Sequence, residues 1–267
     1  MTMPWPDRPA PTADEVAARV ATERHGPVLL VRITRPEKRN AIDAATTRGL
    51  DEALDLLDDD PALRCGVLAG SGGVFCAGTD VSVGPGAPTP RGGNYGVVAR
   101  RRTTPLIAAV EGIAYGGGFE VALACDLVVA SSTARFALPE VGLGLVANCG
   151  ALFRTPRAVP PAVAKRLLLT GDPMDATRAH ELGLVTDLVE PGAAEASALG
   201  IAERIASRSP AAVAATLAAV DSAVLEADAR GWSDTDRAVA AVVASPDRAE
   251  GLAAFAEKRP PVWPSAG

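Results

Sequence analysis

Aromatic residues are scarce in this chain: Phe, Trp and Tyr together make up 4% of its 267 residues. The core must therefore be built mainly from Ala, Val and Leu, which favours close packing of helix on sheet. Histidine is scarcer still, with only His25 and His180, and neither lies in a ligand-like cluster. That argues against a His-based metal site and against a Ser-His-Asp triad. The four cysteines, Cys65, Cys76, Cys125 and Cys149, form no C-x-x-C pair and sit in apolar or glycine-rich runs. They read as reduced core thiols of a cytoplasmic protein, not as a disulfide framework or a zinc site. There is no basic excess: the formal net charge is −6 and the pI about 5.1, which excludes a general nucleic-acid binder. A local basic cluster could still hold a phosphorylated ligand. No apolar stretch approaches the length of a membrane span. The Pro-rich residues 1–13 lack an apolar h-region and read as a flexible tail, not a signal peptide.

What the chain does have is 48% hydrophobic residues, enough for one large core, and a strand–helix alternation. Val16–Arg24 and Val28–Ile33 read as paired strands joined through His25-Gly26-Pro27. Asp43 caps a helix reaching about Asp59, with Leu50, Ala53, Leu54 and Leu57 at helical spacing. Gly66–Ala69 reads as a buried strand. Residues 82–94, rich in Gly and Pro, read as a flexible loop suited to a lid, with a helix resuming near Tyr95. Leu106–Val110 and Leu127–Ala130 are further strands, and a helix runs from Gly116–Gly118 to Cys125. Beyond these, Ala193–Ser207, Pro210–Leu225, Ser233–Ala244 and Asp247–Glu257 read as helices. The expected layout is an α/β core with parallel strand pairing over residues 14–195, followed by a helical C-terminal subdomain over 196–267.

The chemistry concentrates in Ile107–Asp126, IAAVEGIAYGGGFEVALACD. A strand delivers the chain to three glycines, and a helix starts on them. A helix N-terminus offers unpaired N–H groups and the positive end of a dipole, and glycine lets an acyl oxygen come close. An oxyanion hole can be made from backbone in this way. Glu120 lies in the first turn of that helix. The turn Phe75-Cys-Ala-Gly-Thr-Asp80 follows the Gly66–Ala69 strand and can supply a second donor, while Ala137–Gly144 places Glu140 directly after Pro139. Asp126 and Asp80 read as structural acids, His180 as packed or exposed, and Cys149 as a passive thiol.

In this order and spacing, these segments resemble the crotonase (enoyl-CoA hydratase/isomerase) superfamily. Thr34–Ala41, Leu168–Gly171, Ala179–Val185 and Ala253–Arg259 extend the resemblance over about residues 16–264. The resemblance implies a spiral of β-β-α units with a helical C-terminal trimerisation region, assembled as a homotrimer or a dimer of trimers. It implies an acyl-CoA substrate, coenzyme A entering as part of that substrate, and no separate cofactor or metal. By the motif matches, the thioester oxygen is held by the N–H groups of Thr79 and Gly117, and Glu120 and Glu140 flank the reacting carbons. The isomerases of the family often keep only the second glutamate, so both together favour hydration of a 2,3-unsaturated acyl-CoA or the reverse dehydration. CoA is expected near Lys38, Arg39 and Ala41, along Ala77, Thr79, Asp80 and Val81, and at Phe255 and Lys258. Lys258 lies in the charged run Glu257-Lys-Arg259, which suits a solvated face equally well. Gly116, Asn148 and Gly150 are expected to line the substrate pocket. Asn148 stands where many hydratases have a glycine whose N–H helps to hold the water, so its side chain is expected to enter the pocket. Thr79 stands where a small apolar residue is common.

Overall fold

The computed structural model describes residues 9–266; residues 1–8 of the expected tail lie outside them. Thr12 opens the described chain with a capping box, in which its hydroxyl accepts from the Glu15 N–H while the Glu15 carboxylate accepts from the Thr12 N–H. The cap starts helix α1 (Ala13–Ala17), so Val16 is helical and not the first residue of a strand. The Thr-x-x-Glu spacing that specifies this start outweighs the partial alternation across Val16–Arg24. Strand β1 (Val20–His25) follows and pairs antiparallel with β2 (Val28–Ile33).

Helix α2 (Ala44–Asp59) begins where expected, with the Asp43 carboxylate accepting from the Thr46 N–H at 2.8 Å. Leu50, Ala53, Leu54 and Leu57 are all buried, and truncating Leu54 or Leu57 to Ala should cost about 2–5 kcal/mol. Strand β3 (Cys65–Gly70) comes next. The helix expected near Tyr95 is a single 3₁₀ turn, Asn94–Gly96, in which Tyr95 is left-handed. Glycines at 92, 93 and 96 break any helical continuation there.

The chain then spirals. Strands β4 (Leu106–Val110) and β5 (Ile113–Tyr115) lead into α3 (Gly117–Leu123), and β6 (Leu127–Ser131) and β7 (Arg135–Ala137) repeat the pattern. Helices α4 (Ala151–Ala158) and α5 (Pro161–Thr170), strand β8 (Met174–Asp175), helix α6 (Ala176–Glu181) and strand β9 (Asp187–Val189) complete the strands. One sheet has the order β1-β2-β3-β4-β6-β9, parallel except for its first pair; the other has the order β5-β7-β8. Each β-β-α turn thus puts its first strand in the large sheet and its second in the small one. The turn after β3 joins the small sheet through one bridge, Cys76 to Ala114.

Both faces of the large sheet are covered, which is why its strands read as unbroken apolar runs. Leu29, Val31 and Ile33 face the α2 side, while Val28 and Leu30 face α7 (Ala194–Ala206) through Ala194, Ala198, Ile201 and Ala202. The expected division after residue 195 falls inside α7. Helices α8 (Pro210–Ser222), α9 (Leu225–Val243) and α10 (Asp247–Glu257) follow. Helix α9 starts at Leu225, well before the expected Ser233. No residue of α8 is buried, although its composition is mostly Ala and Val.

Candidate active site

The turn after β3 is tied to the segment after β2 by backbone. Ala77 N–H donates to the Arg39 carbonyl, Ile42 N–H to the Gly78 carbonyl, and Asp80 N–H to the Ile42 carbonyl. Lys38, Arg39 and Ala41 are thereby brought beside Ala77, Thr79, Asp80 and Val81, with Lys38 and Arg39 exposed. The Asp80 side chain is committed within the turn. It accepts from the Ser82 N–H at 3.0 Å and lies 2.8 Å from the Arg35 guanidinium. Burial opposes its charge, but the bonds from Ser82 and Arg35 hold its carboxyl below the ordinary value.

Gly78 has φ +94°, and a methyl group there would stand 2.7 Å from the Tyr115 carbonyl and 3.1 Å from the Gly117 nitrogen. The turn therefore passes directly against the start of α3, an approach that only glycine permits. Thr79 and Gly117 end up as neighbours across this contact. Among the described residues, neither the Thr79 N–H nor the Gly117 N–H donates to an acceptor in the chain. Gly117 is the first residue of α3, so its N–H is one of the groups a helix leaves free.

Glu120, in the first turn of α3, is 1% exposed. Its Oε1 accepts from the Cys149 N–H at 2.6 Å and the Ala151 N–H at 3.1 Å, at the start of α4. Burial raises its pKa, opposed by these two bonds and by the charge of Arg154. Glu140 lies in the 3₁₀ turn Pro139–Leu143, and its Oε1 comes within 3.0 Å of where a methyl on Gly116 would sit. Its Oε2 is buried without a hydrogen-bond partner. Burial raises its pKa first, and the facing Glu120 raises it further. Two carboxyls in one pocket disfavour a doubly ionised state. Glu120, with two N–H donors, is the better holder of the charge, and Glu140, with none on Oε2, the better holder of the proton.

Tyr95 is a site residue that sequence reasoning passed over. It is 4% exposed, and its hydroxyl lies 2.8 Å from Thr79 Oγ1. Burial holds its phenol well above the usual range, and so protonated. A Gly117 methyl would meet the Tyr95 hydroxyl at 2.5 Å and its ring carbons at 2.7 and 2.9 Å. Its φ of 59° is costly for a bulky residue, of order 1–3 kcal/mol. The loop that carries it is fastened to α2 rather than free. Thr47 Oγ1 donates to the Pro85 carbonyl, Thr89 Oγ1 to Asp51 and Arg91 to Asp59. The expected lid is thus a strap that delivers a side chain. The available signal was one of only two tyrosines, set in Gly92-Gly-Asn-Tyr-Gly96.

Asn148 Oδ1 accepts from the Cys149 thiol at 3.2 Å, and Asn94 Nδ2 donates to that sulfur at 3.4 Å. Burial raises the thiol's pKa well above its ordinary value, which keeps Cys149 protonated. Gly150 caps α4 with the Arg154 guanidinium against it. Asp126 braces β4, accepting from the Leu106 N–H and from Arg102. His180 Nδ1 bonds the Val185 carbonyl. Phe255, on α10, and Lys258, just past its end, are exposed, and the first half of that helix packs on the turn that carries Glu140. Among the described residues, no group of three or more His, Cys, Asp or Glu is placed to hold a metal ion.

The sequence profile of the enoyl-CoA hydratase/isomerase family matches residues 23–266. The chain belongs to this family. It is 39% identical over 251 residues to a carnitinyl-CoA dehydratase of Citrobacter koseri, covering 90% of this chain and 96% of that one. It is 41% identical over 243 residues to a probable enoyl-CoA hydratase of Rhizobium meliloti, covering 89% and 94%. The solved structure of a carnitinyl-CoA dehydratase from Mycobacterium avium superposes with a TM-score of 0.88 at 43% identity, covering 93% of this chain and all of that one. The fold is the crotonase fold, and the protein is an enzyme of that superfamily.

Proposed function

We infer that the protein is an enoyl-CoA hydratase that adds water reversibly across the 2,3 double bond of an acyl-CoA thioester. The observation that carries this reading is the placing of two free N–H groups, on Thr79 and Gly117, near the buried Glu120 and the half-buried Glu140, whose Oε2 is enclosed. The thioester oxygen accepts from both N–H groups, so charge that develops on it during addition is stabilised by donors already in place. One such donor is typically worth about 10²–10³ in rate. Glu120, ionised, takes a proton from water as the water oxygen bonds to C3. Glu140, protonated, delivers its proton to C2. The product gains one water, and proton exchange with solvent resets the pair. Raised pKa values suit both tasks near neutral pH.

Dehydration of a substituted acyl-CoA is the second reading, and it uses the same groups in reverse. The polar lining favours it: Thr79, Tyr95 and Asn148 stand beside the reacting groups, and the relatives named above include carnitinyl-CoA dehydratases. The exposed Lys38 and Arg39, beside the Ala77–Val81 turn, suit the phosphates of coenzyme A, and Phe255 and Lys258 would reach CoA across a subunit boundary. No other cofactor enters this scheme. The uncovered apolar helix α8 suits a homotrimer or a dimer of trimers, in a cytoplasmic setting consistent with four free thiols. Loss of the enoyl-thioester absorbance, followed over substrates of graded length and branching, tests the activity. Turnover of at least one 2,3-enoyl-CoA is expected, and failure with all of them while CoA still binds would leave only a binding role. Sedimentation at micromolar concentration should show an oligomer; a stable monomer contradicts the assembly.

A further inference from the structure

We propose that Tyr95 is a positioning residue that sets the separation of the two donor N–H groups. The inference rests on the reading of Thr79 and Gly117 as those donors. Backbone pairing joins their two segments only as far as the Cys76 bridge. Cys76 N–H donates to the Ile113 carbonyl and Tyr115 N–H to the Cys76 carbonyl. Past that point the turn and the start of α3 have separate backbone partners, and Thr79 and Gly117 both lie past it. One side chain touches both: the Tyr95 hydroxyl pairs with Thr79 Oγ1 at 2.8 Å, while the same hydroxyl and the ring edge fill the space that a Gly117 side chain would need.

The placement is enforced. Tyr95 is left-handed with φ 59° and ψ 5°, and the loop holding it there is fixed to α2 at Thr47, Asp51 and Asp59. A bulky residue keeps such a backbone only when its surroundings over-determine it, and such residues cluster at functional sites. The hydroxyl is essential to this role. Between them Thr79 and Tyr95 carry two O–H donors, of which the pair uses one, and removing either hydroxyl releases the Thr79 side chain.

The test measures the carbonyl stretch of a bound, ¹³C-labelled acyl-CoA thioester alongside kcat and KM, in the full protein with Tyr95→Phe, Thr79→Val and the double variant. Hydrogen bonds from well-placed donors lower that frequency. The wild type should show the lowered band. Tyr95→Phe should lose much of the shift and about 10-fold in kcat, with KM nearly constant, because misplaced donors weaken transition-state stabilisation more than binding. Thr79→Val should match it, and the double variant should be no worse than the worse single one, since both remove the same contact. Thr79→Val leaves the Tyr95 ring in place, so it answers the question even if Tyr95→Phe fails to fold. A wild-type band with no shift overturns the donor reading and this proposal with it. A shifted wild type whose shift and kcat are retained in both single variants overturns the role of Tyr95 alone, as do losses that simply multiply in the double variant.

Discussion

The segments Gly116–Glu120 and Ser82–Gly96 meet where Gly117 packs against Tyr95, yet they are built on opposite principles. The first is short, regular and dictated by local rules: a strand ends, glycines turn the chain, and a helix starts with its N–H groups free. The second is held in shape by side chains from α2, with one backbone conformation, at Tyr95, that its residue type does not favour. The comparison teaches that the family motif leaves the Thr79 and Gly117 N–H groups free, the donors of the proposed mechanism, while a loop without a motif packs against them. Reactivity and its tuning therefore sit on different segments.

Gly117→Ala strikes the contact itself and should have the largest effect. The added methyl must displace a buried, hydrogen-bonded ring, so kcat should fall by at least about 10², with the thermal midpoint moving far less than the rate. Near-normal turnover would show that the ring yields easily and that the two segments are loosely coupled.

Glu120→Gln and Glu140→Gln should each lower the chemical rate by about 10² or more with CoA affinity nearly intact. The double variant should lose less than the product of the two, because the carboxyls act as a unit. Full activity in Glu120→Gln alone would favour an isomerase in which Glu140 is the sole proton carrier. The pH profile of kcat/KM in the wild type should place its limbs above the ordinary carboxylate range, since burial raises both groups.

The same shifts fix a stability prediction. A carboxyl with a raised folded-state pKa keeps its proton in the folded chain after the unfolded chain has lost it. Its favourable contribution is present below the ordinary glutamate value of about 4.5 and is lost as pH rises toward the folded-state value. Glu140→Gln should therefore flatten the decline in thermal midpoint between about pH 5 and pH 8. An unchanged slope would mean that Glu140 is solvated and does not carry the proton.

The smallest effect belongs to Asn148→Gly. Its side-chain oxygen accepts from the Cys149 thiol, so the side chain is tied into its own loop. Glycine should raise hydration of a short straight-chain enoyl-CoA by a small factor and cost about 1 kcal/mol of stability. A fall in hydration would assign Asn148 to loop bonding alone.

Legibility followed the same divide. Helix α2 starts at its Asp43 cap and α10 spans the expected Asp247–Glu257, and Glu120 and Glu140 could be read from motifs because a helix start and a proline turn are local events. Tyr95 could not be read that way, because its position depends on Thr47, Asp51 and Asp59 from another element. Val16 was misplaced for a nearer reason, a capping box at Thr12 overlooked in favour of alternation. The expected start of α9 at Ser233 lies beyond its observed start because Gly231, read as a separator, sits inside the helix without breaking it.

The most direct test of the central claim is turnover of a 2,3-enoyl-CoA in ¹⁸O-labelled water, with the product weighed by mass spectrometry. The account predicts a 3-hydroxyacyl-CoA that has gained one water with its oxygen drawn from the labelled solvent, formed by the wild type and only slowly by Glu120→Gln and Glu140→Gln. A product of unchanged mass, with the double bond merely moved, would contradict it.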